Sequence, residues 1–194
     1  ATPRTMNIKT SGGETHEIRD MLVGEVWLGS GQSNMGWRMY GTCAKSQKTF
    51  VEDDLPGLRV FHTERAHTYQ PQRSIRGRWI PNRDKTALSQ TSSLAYFFGH
   101  KLHLELGVPV GIIHSSEGGS PIRAWIPIEG LETQPLFAAF LRQRRIAHGE
   151  EPESCGLELS RYGIGNYDAM LHPLVTYALR GFIWHQGEHD GSSG

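Results

Sequence analysis

The order of apolar and amphipathic segments predicts an α/β fold, a doubly wound parallel sheet flanked by helices. Residues 21–29, 110–114 and 181–185 are apolar runs of strand type with little alternation. Such runs mark strands covered on both faces. The regularly spaced apolar residues of 94–106 mark a helix between two of them. Each apolar run also empties into a polar or glycine-rich turn, and open parallel sheets bind ligands beyond the carboxyl ends of their strands.

Along the chain, residues 6–10 alternate weakly before the Ser11-Gly12-Gly13 turn, so residues 1–20 read as the end of a preceding β-element or a linker. A second strand, 58–62, is opened by Pro56-Gly57, and residues 67–88 are loop-rich with a short strand at Trp79-Ile80. Serines and threonines at 89–93 offer N-caps for the helix over 94–106, whose apolar face is Leu94, Phe97, Phe98, Leu102 and Leu106. Gly107 is placed to stop it. After the strand 110–114, helices are expected over 134–148 and 167–179, and then the last strand, GFIWH.

Composition removes several classes of function. Twenty basic and twenty acidic residues give a formal net charge of +0, so no overall field draws the chain to nucleic acid or to an anionic membrane. No apolar stretch approaches the roughly 20 residues that span a bilayer. The polar first 20 residues lack a signal-type apolar core, and the Ala1 start fits a processed or excised N-terminus. Cys43 and Cys155 form no C-x-x-C pair, and their redox state stays open.

The chemistry concentrates at three turns: GSGQSNM after Trp27-Leu28, SSEGGSP after Ile112-Ile113, and HQGEHD after Ile183-Trp184. A serine hydroxyl attacks well only when a sharp turn exposes it beside backbone N–H donors, and Ser33 stands at such a strand-to-loop junction. Its surroundings lack the Gly-x-Ser-x-Gly spacing of the α/β-hydrolase elbow. A serine on one turn, glycine N–H groups on the second and an amide on the third would form a nucleophile with an oxyanion hole.

These motifs resemble the SGNH-type serine esterases, and within them the sialate O-acetylesterase and carbohydrate acetylesterase branch. The resemblance rests on GQSNM at 31–35, AYFFG at 95–99, LGVPVGIIHSSEGGSPIRAW at 106–125, MLHPL at 170–174 and GFIWHQGE at 181–188. It implies a three-layer, flavodoxin-like fold, incomplete at its C-terminus here, with residues 21–194 forming the N-terminal portion of the esterase domain. It implies that Ser33 attacks an O-acetyl carbonyl through an acyl-enzyme. The oxyanion would be held by the Ser33 N–H, the Gly118 N–H (Gly119 being the alternative) and the Gln186 amide. Gln32, Asn34 and Glu188 would support the turns, and no metal or organic cofactor is implied. The substrate class is O-acetylated carbohydrate, with sialic acid first and acetylated plant-type polysaccharide next. An inactive glycan-binding protein and a lipid or thioester hydrolase are the alternatives. Such substrates imply a secreted, periplasmic or lysosome-like location.

The chain departs from the pattern at Glu117, where the family often carries Trp before the paired glycines, and at His189-Asp190. It also holds no Asp-x-x-His, the family's general-base pair. A second polypeptide or a further C-terminal segment is expected to bring that pair and to cover the edge of the sheet. His189 is the local alternative as base. His172 reads as structural, and alternation turns His185 away from Gln186. The H-x-x-x-H-D spacing at 185–190 matches no closed zinc set. Arg123 and Trp125 are candidate substrate contacts, a guanidinium for a carboxylate and an indole for a sugar face.

Overall fold

The computed structural model describes residues 2–68, 70–137, 141 and 165–191. Strands β1 (Arg4–Lys9) and β2 (Thr15–Met21) form an antiparallel hairpin of their own, with Met6 opposite Ile18. The main sheet contains β3 (Glu25–Gly31), β4 (Leu58–Thr63), β5 (Gly77–Pro81), β6 (Val110–Ser116) and β7 (Gly181–His185), in the order β5-β4-β6-β3-β7.

Strands β4, β6, β3 and β7 run parallel, whereas β5 is antiparallel to β4. The expected all-parallel sheet is therefore a mixed one. The described residues between β4 and β5 form no crossover helix, and a direct return pairs strands antiparallel. The strand expected over 21–29 is also corrected. The hairpin keeps Met21, Gly24 passes too close to the Pro109 backbone for any side chain, and β3 continues to Gly31.

Between the strands lie α1 (Ala44–Glu52), α2 (Lys85–Leu88) and α3 (Ser93–Leu106). The Ser92 hydroxyl accepts the Ala95 N–H at 2.9 Å, and Gly107 closes α3 at φ 65°. That left-handed turn is one glycine adopts without strain. The face of the sheet toward α3 is closed by Met35, Leu58, Val60, Tyr96 and Ile112, all below 2% exposed. The opposite face is covered by Trp125, Ala169 and Met170, and the Ser115 hydroxyl donates to the Met170 carbonyl at 3.2 Å.

The expected helix over 167–179 is replaced by a π-type turn, Tyr167–Leu171, and a 3-10 turn, His172–Leu174. Pro173 removes a backbone donor and blocks a continuous α-helix. The helix expected over 134–148 falls largely outside the described residues, as does Cys155, while Cys43 is an exposed free thiol. Helix α4 is Ile128–Glu132, and α5, Glu188–Gly191, follows β7. Among the described residues strand β7 is one of the two sheet edges, with Phe182 70% exposed. No helix among the described residues is long and apolar enough to cross a membrane.

Adjacent strands carry one buried polar chain. His62 and His114 are register partners, with Nδ1 atoms 3.1 Å apart. The Ser92 N–H also donates to His114 Nδ1 at 3.2 Å, which makes that atom an acceptor. The proton of His114 therefore sits on Nε2, 2.7 Å from Ser116 Oγ. Burial, then the His62 ring and Arg65, push the His114 pKa down to about 3. Unfolded histidine titrates near 6.5, so between these values only the unfolded chain takes the proton. This stabilisation is complete above about pH 6.5 and falls by about 1.4 kcal/mol per unit as pH drops toward 3. Calorimetric unfolding at pH 7 and pH 5 should show this loss, and His114→Asn, which keeps an acceptor near Nδ1, should flatten it.

Candidate active site

Gly31 pairs with Ser116 on one side and His185 on the other, so three parallel strands end at one level. Their turns consequently meet. The Glu117 N–H donates to the Gly31 carbonyl at 3.1 Å, and the Gln32 N–H donates to the His185 carbonyl at 3.0 Å.

Ser33 is exposed on a turn whose neighbour, Met35, is fully buried. The Gly36 N–H returns to the Gln32 carbonyl at 2.9 Å, and Ser93 binds the Trp37 carbonyl through both its N–H and its hydroxyl, each at 2.8 Å. The nucleophile turn is thus held against the N-terminus of α3. Gly118 lies directly against it: a Cβ at Gly118 would stand 3.5 Å from Ser33 Cβ and 3.6 Å from its Cα. Gly119 has φ 77° and faces open space.

Gln186 lies half-buried behind the serine. Its Nε2 donates to the Ser120 carbonyl at 2.7 Å and to Gln32 Oε1 at 2.9 Å, and lies 3.2 Å from Asp190 Oδ2. Two hydrogens face three acceptors, so one is shared between Gln32 and Asp190. Gln32 is 3% exposed; its Oε1 also accepts the His189 N–H, and its Nε2 lies 3.4 Å from Ser33 Oγ. Asp190 Oδ2 accepts the Ile122 N–H at 2.9 Å and ties the third turn to the second. An amide chain therefore runs from Asp190 through Gln186 and Gln32 to Ser33.

Asn34 donates to Glu188, whose Oε1 also lies 3.4 Å from His185 Nε2. Hydrogen bonds from the Glu188 backbone N–H and from Asn34 hold that carboxyl below the usual range. Trp125 is only 5% exposed; its indole N–H is bound to Ser120 Oγ at 2.8 Å and its ring stands edge-on to Trp184. It supports the second turn from below. Arg123 is half-buried on the same 3-10 turn, Ile122–Trp125. Trp37 and Tyr40, which follow the Ser33 turn in the chain, are 53% and 66% exposed.

Glu117 Oε2 accepts from His67 Nε2 and Asn166 Nδ2, each at 2.6 Å. Burial acts to raise this carboxyl's pKa, but the His67 bond and charge, the Asn166 bond and Arg65 outweigh it and hold it below the usual range. Sequence reading missed His67, Asn166 and Ser120. Ser120 stands within the GGS turn and was legible there; the other two lie about 50 residues from Glu117 and carry no local signal. Among the described residues no cluster of three or more His, Cys, Asp or Glu side chains is arranged to hold a metal. A cavity of about 510 Å³ lies at the far end of the sheet, between Asp20, Arg59, Trp79 and Pro109. It is remote from the three turns, and side-chain chemistry rather than volume marks the site.

A mixed α/β sheet that gathers an exposed serine, a glycine turn and an amide turn at one end has the architecture of a serine esterase. A profile of the family described as carbohydrate esterase, sialic acid-specific acetylesterase, matches residues 23–194, and the chain belongs to that family. It is 28% identical over 181 residues to the sialate O-acetylesterase of Homo sapiens, covering 90% of this chain and 33% of the relative. The Rattus norvegicus sialate O-acetylesterase is 25% identical over 202 residues, covering 92% of this chain and 37% of the relative. The crystal structure of a carbohydrate acetylesterase from Xanthomonas citri superposes with a TM-score of 0.73 at 28% identity, over 97% of this chain and 38% of that one. The chain thus spans about a third of the length of these relatives.

Proposed function

We propose that these residues carry the nucleophile and oxyanion half of an O-acetylesterase acting on carbohydrate, with O-acetylated sialic acid as the leading substrate. The observation that carries this reading is the register at Gly31, which sets exposed Ser33 beside Gly118 with the Gln186 turn behind. Ser33 Oγ attacks the acetyl carbonyl. The backbone N–H groups of Ser33 and Gly118 receive the oxyanion, and the shared hydrogen of Gln186 turns from Asp190 to complete the hole. Collapse expels the sugar hydroxyl and leaves acetyl-Ser33, which water cleaves to acetate. Trp37 and Tyr40 offer apolar ring faces to the sugar.

The general base belongs to an Asp-x-x-His pair from a second polypeptide or a further C-terminal segment, which also covers the open edge of β7. His189 is the base only if that pair is absent from the active protein. A location in secretions, the periplasm or a lysosome-like compartment accords with a glycan substrate. Acetate release from O-acetylated sialic acid and from acetylated xylan, measured with the Asp-x-x-His contribution present, tests the reading. Release from the first supports it, release from xylan alone moves the substrate to neutral polysaccharide, and release from neither with retained glycan binding identifies a binder. Gln186→Ala should lower kcat by about 10²–10³-fold, the size found for other oxyanion donors. A change confined to KM would remove Gln186 from the hole.

A further inference from the structure

We propose that Glu117 is a positioning residue, a charged clamp that holds the Gly118 N–H in the orientation the oxyanion requires. The inference rests on the reading of Ser33 and Gly118 given above. A glycine has no side chain with which to anchor itself, so the direction of its N–H depends on its neighbours. Gly118 follows Glu117 directly, and Glu117 is fixed at every group it possesses. Its N–H is bound to the Gly31 carbonyl at 3.1 Å, and its carbonyl accepts the Ser120 hydroxyl at 2.7 Å. Its carboxylate oxygen Oε2 receives two donors at 2.6 Å from two separate segments, His67 after β4 and Asn166 at the π-type turn.

Both partners are well enclosed, with side-chain exposure of 13% for His67 and 16% for Glu117. Hydrogen bonds to an ionised acceptor are short and roughly twice as strong as neutral ones. One carboxylate therefore joins three segments around the glycine turn. Where the resemblance leads one to expect an apolar Trp wall, this chain holds the turn by charge. The distinction has a kinetic signature. A clamp acting on the oxyanion donor alters the transition state and leaves ground-state binding alone, whereas a side chain that grips the sugar alters KM.

The test is Glu117→Ala and the near-isosteric Glu117→Gln, read by acetate release from O-acetylated sialic acid with the Asp-x-x-His contribution present, and by hydrogen exchange at the residue-117 amide, which is bonded to the Gly31 carbonyl. Glu117→Ala should lower kcat on the order of 10²-fold, as a misplacement of about 1 Å does, with KM within about twofold. Glu117→Gln, which keeps shape and one acceptor, should lose less. Exchange at the residue-117 amide should quicken at least about tenfold in both, while the other amides of strands β3 and β6 stay protected, the mark of a local opening. Asn166→Ala should move both readouts the same way. Unchanged exchange at residue 117, or a loss that lies in KM with kcat intact, overturns the clamp. If the unaltered protein, with that contribution present, releases no acetate, the esterase reading fails by itself and the exchange measurement still decides the clamp. If Glu117→Ala unfolds, Glu117→Gln and Asn166→Ala decide it.

Discussion

Ser33→Ala is expected to lower kcat for acetyl esters by roughly 10⁶-fold in the presence of the complementing histidine, the size found when a triad serine is removed elsewhere. The fold should not notice. The Ser33 side chain is exposed, and among the described residues its hydroxyl has a single long contact, 3.4 Å from Gln32 Nε2. Surface changes of this kind usually stay within about 0.5 kcal/mol. Unaltered thermal unfolding beside abolished acetate release is therefore the expected pair of measurements. Because triad members act as a unit, the same substitution should cost far less in an assay lacking the Asp-x-x-His contribution. A comparison of Ser33→Ala with and without that contribution thus also tests where the base resides. Full turnover by Ser33→Ala would remove the serine from the mechanism.

Gly31→Ala should have the largest effect on stability. Gly31 is the last residue of the strand β3, at φ 135°, a region nearly closed to residues with a side chain. A Cβ there runs into the His185 carbonyl, with its carbon at 2.7 Å and the His185 nitrogen at 3.0 Å. Both obstacles are backbone, so no rotamer relieves them. Conformational strain of about 1–3 kcal/mol and overpacking of about 1–3 kcal/mol together give roughly 2–6 kcal/mol. For a chain of this size that lowers Tm by about 4–24 °C. The clash also pushes the His185-Gln186 turn away from Gln32, so residual folded protein should have reduced kcat. A variant with wild-type Tm would show that β7 is free to move at this edge.

What was legible in the amino-acid sequence depends on how far apart the cooperating residues lie. The helix over 94–106 was readable because its cap Ser92, its apolar spacing and its stop Gly107 act within a few residues of one another. The convergence of Ser33, Gly118 and Gln186 was readable at longer range because parallel strands bring their carboxyl-end turns to one side. Only the existence of the strands and their common direction had to be known. The helix over 167–179 was misread because apolar spacing continued past Pro173, whose missing N–H ends the hydrogen-bond ladder. The antiparallel β5 was hidden because nothing local in Gly77–Pro81 records which way the chain has come back.

Burial periodicity and turn residues therefore settled the α/β class and the position of the serine turn, which follow from local backbone preference, while the esterase family was legible only through the resemblance its motifs carry. The strand order β5-β4-β6-β3-β7 had to be seen. It alone makes His62 the neighbour of His114 and brings His67 and Asn166 onto Glu117. It also buries Trp125 beneath the second turn. Such pairings join residues about 50 positions apart or sit beneath loops. They are chosen by which strands lie side by side and by the burial of a charge that must find donors, and neither condition leaves a mark on the residues nearby in the chain.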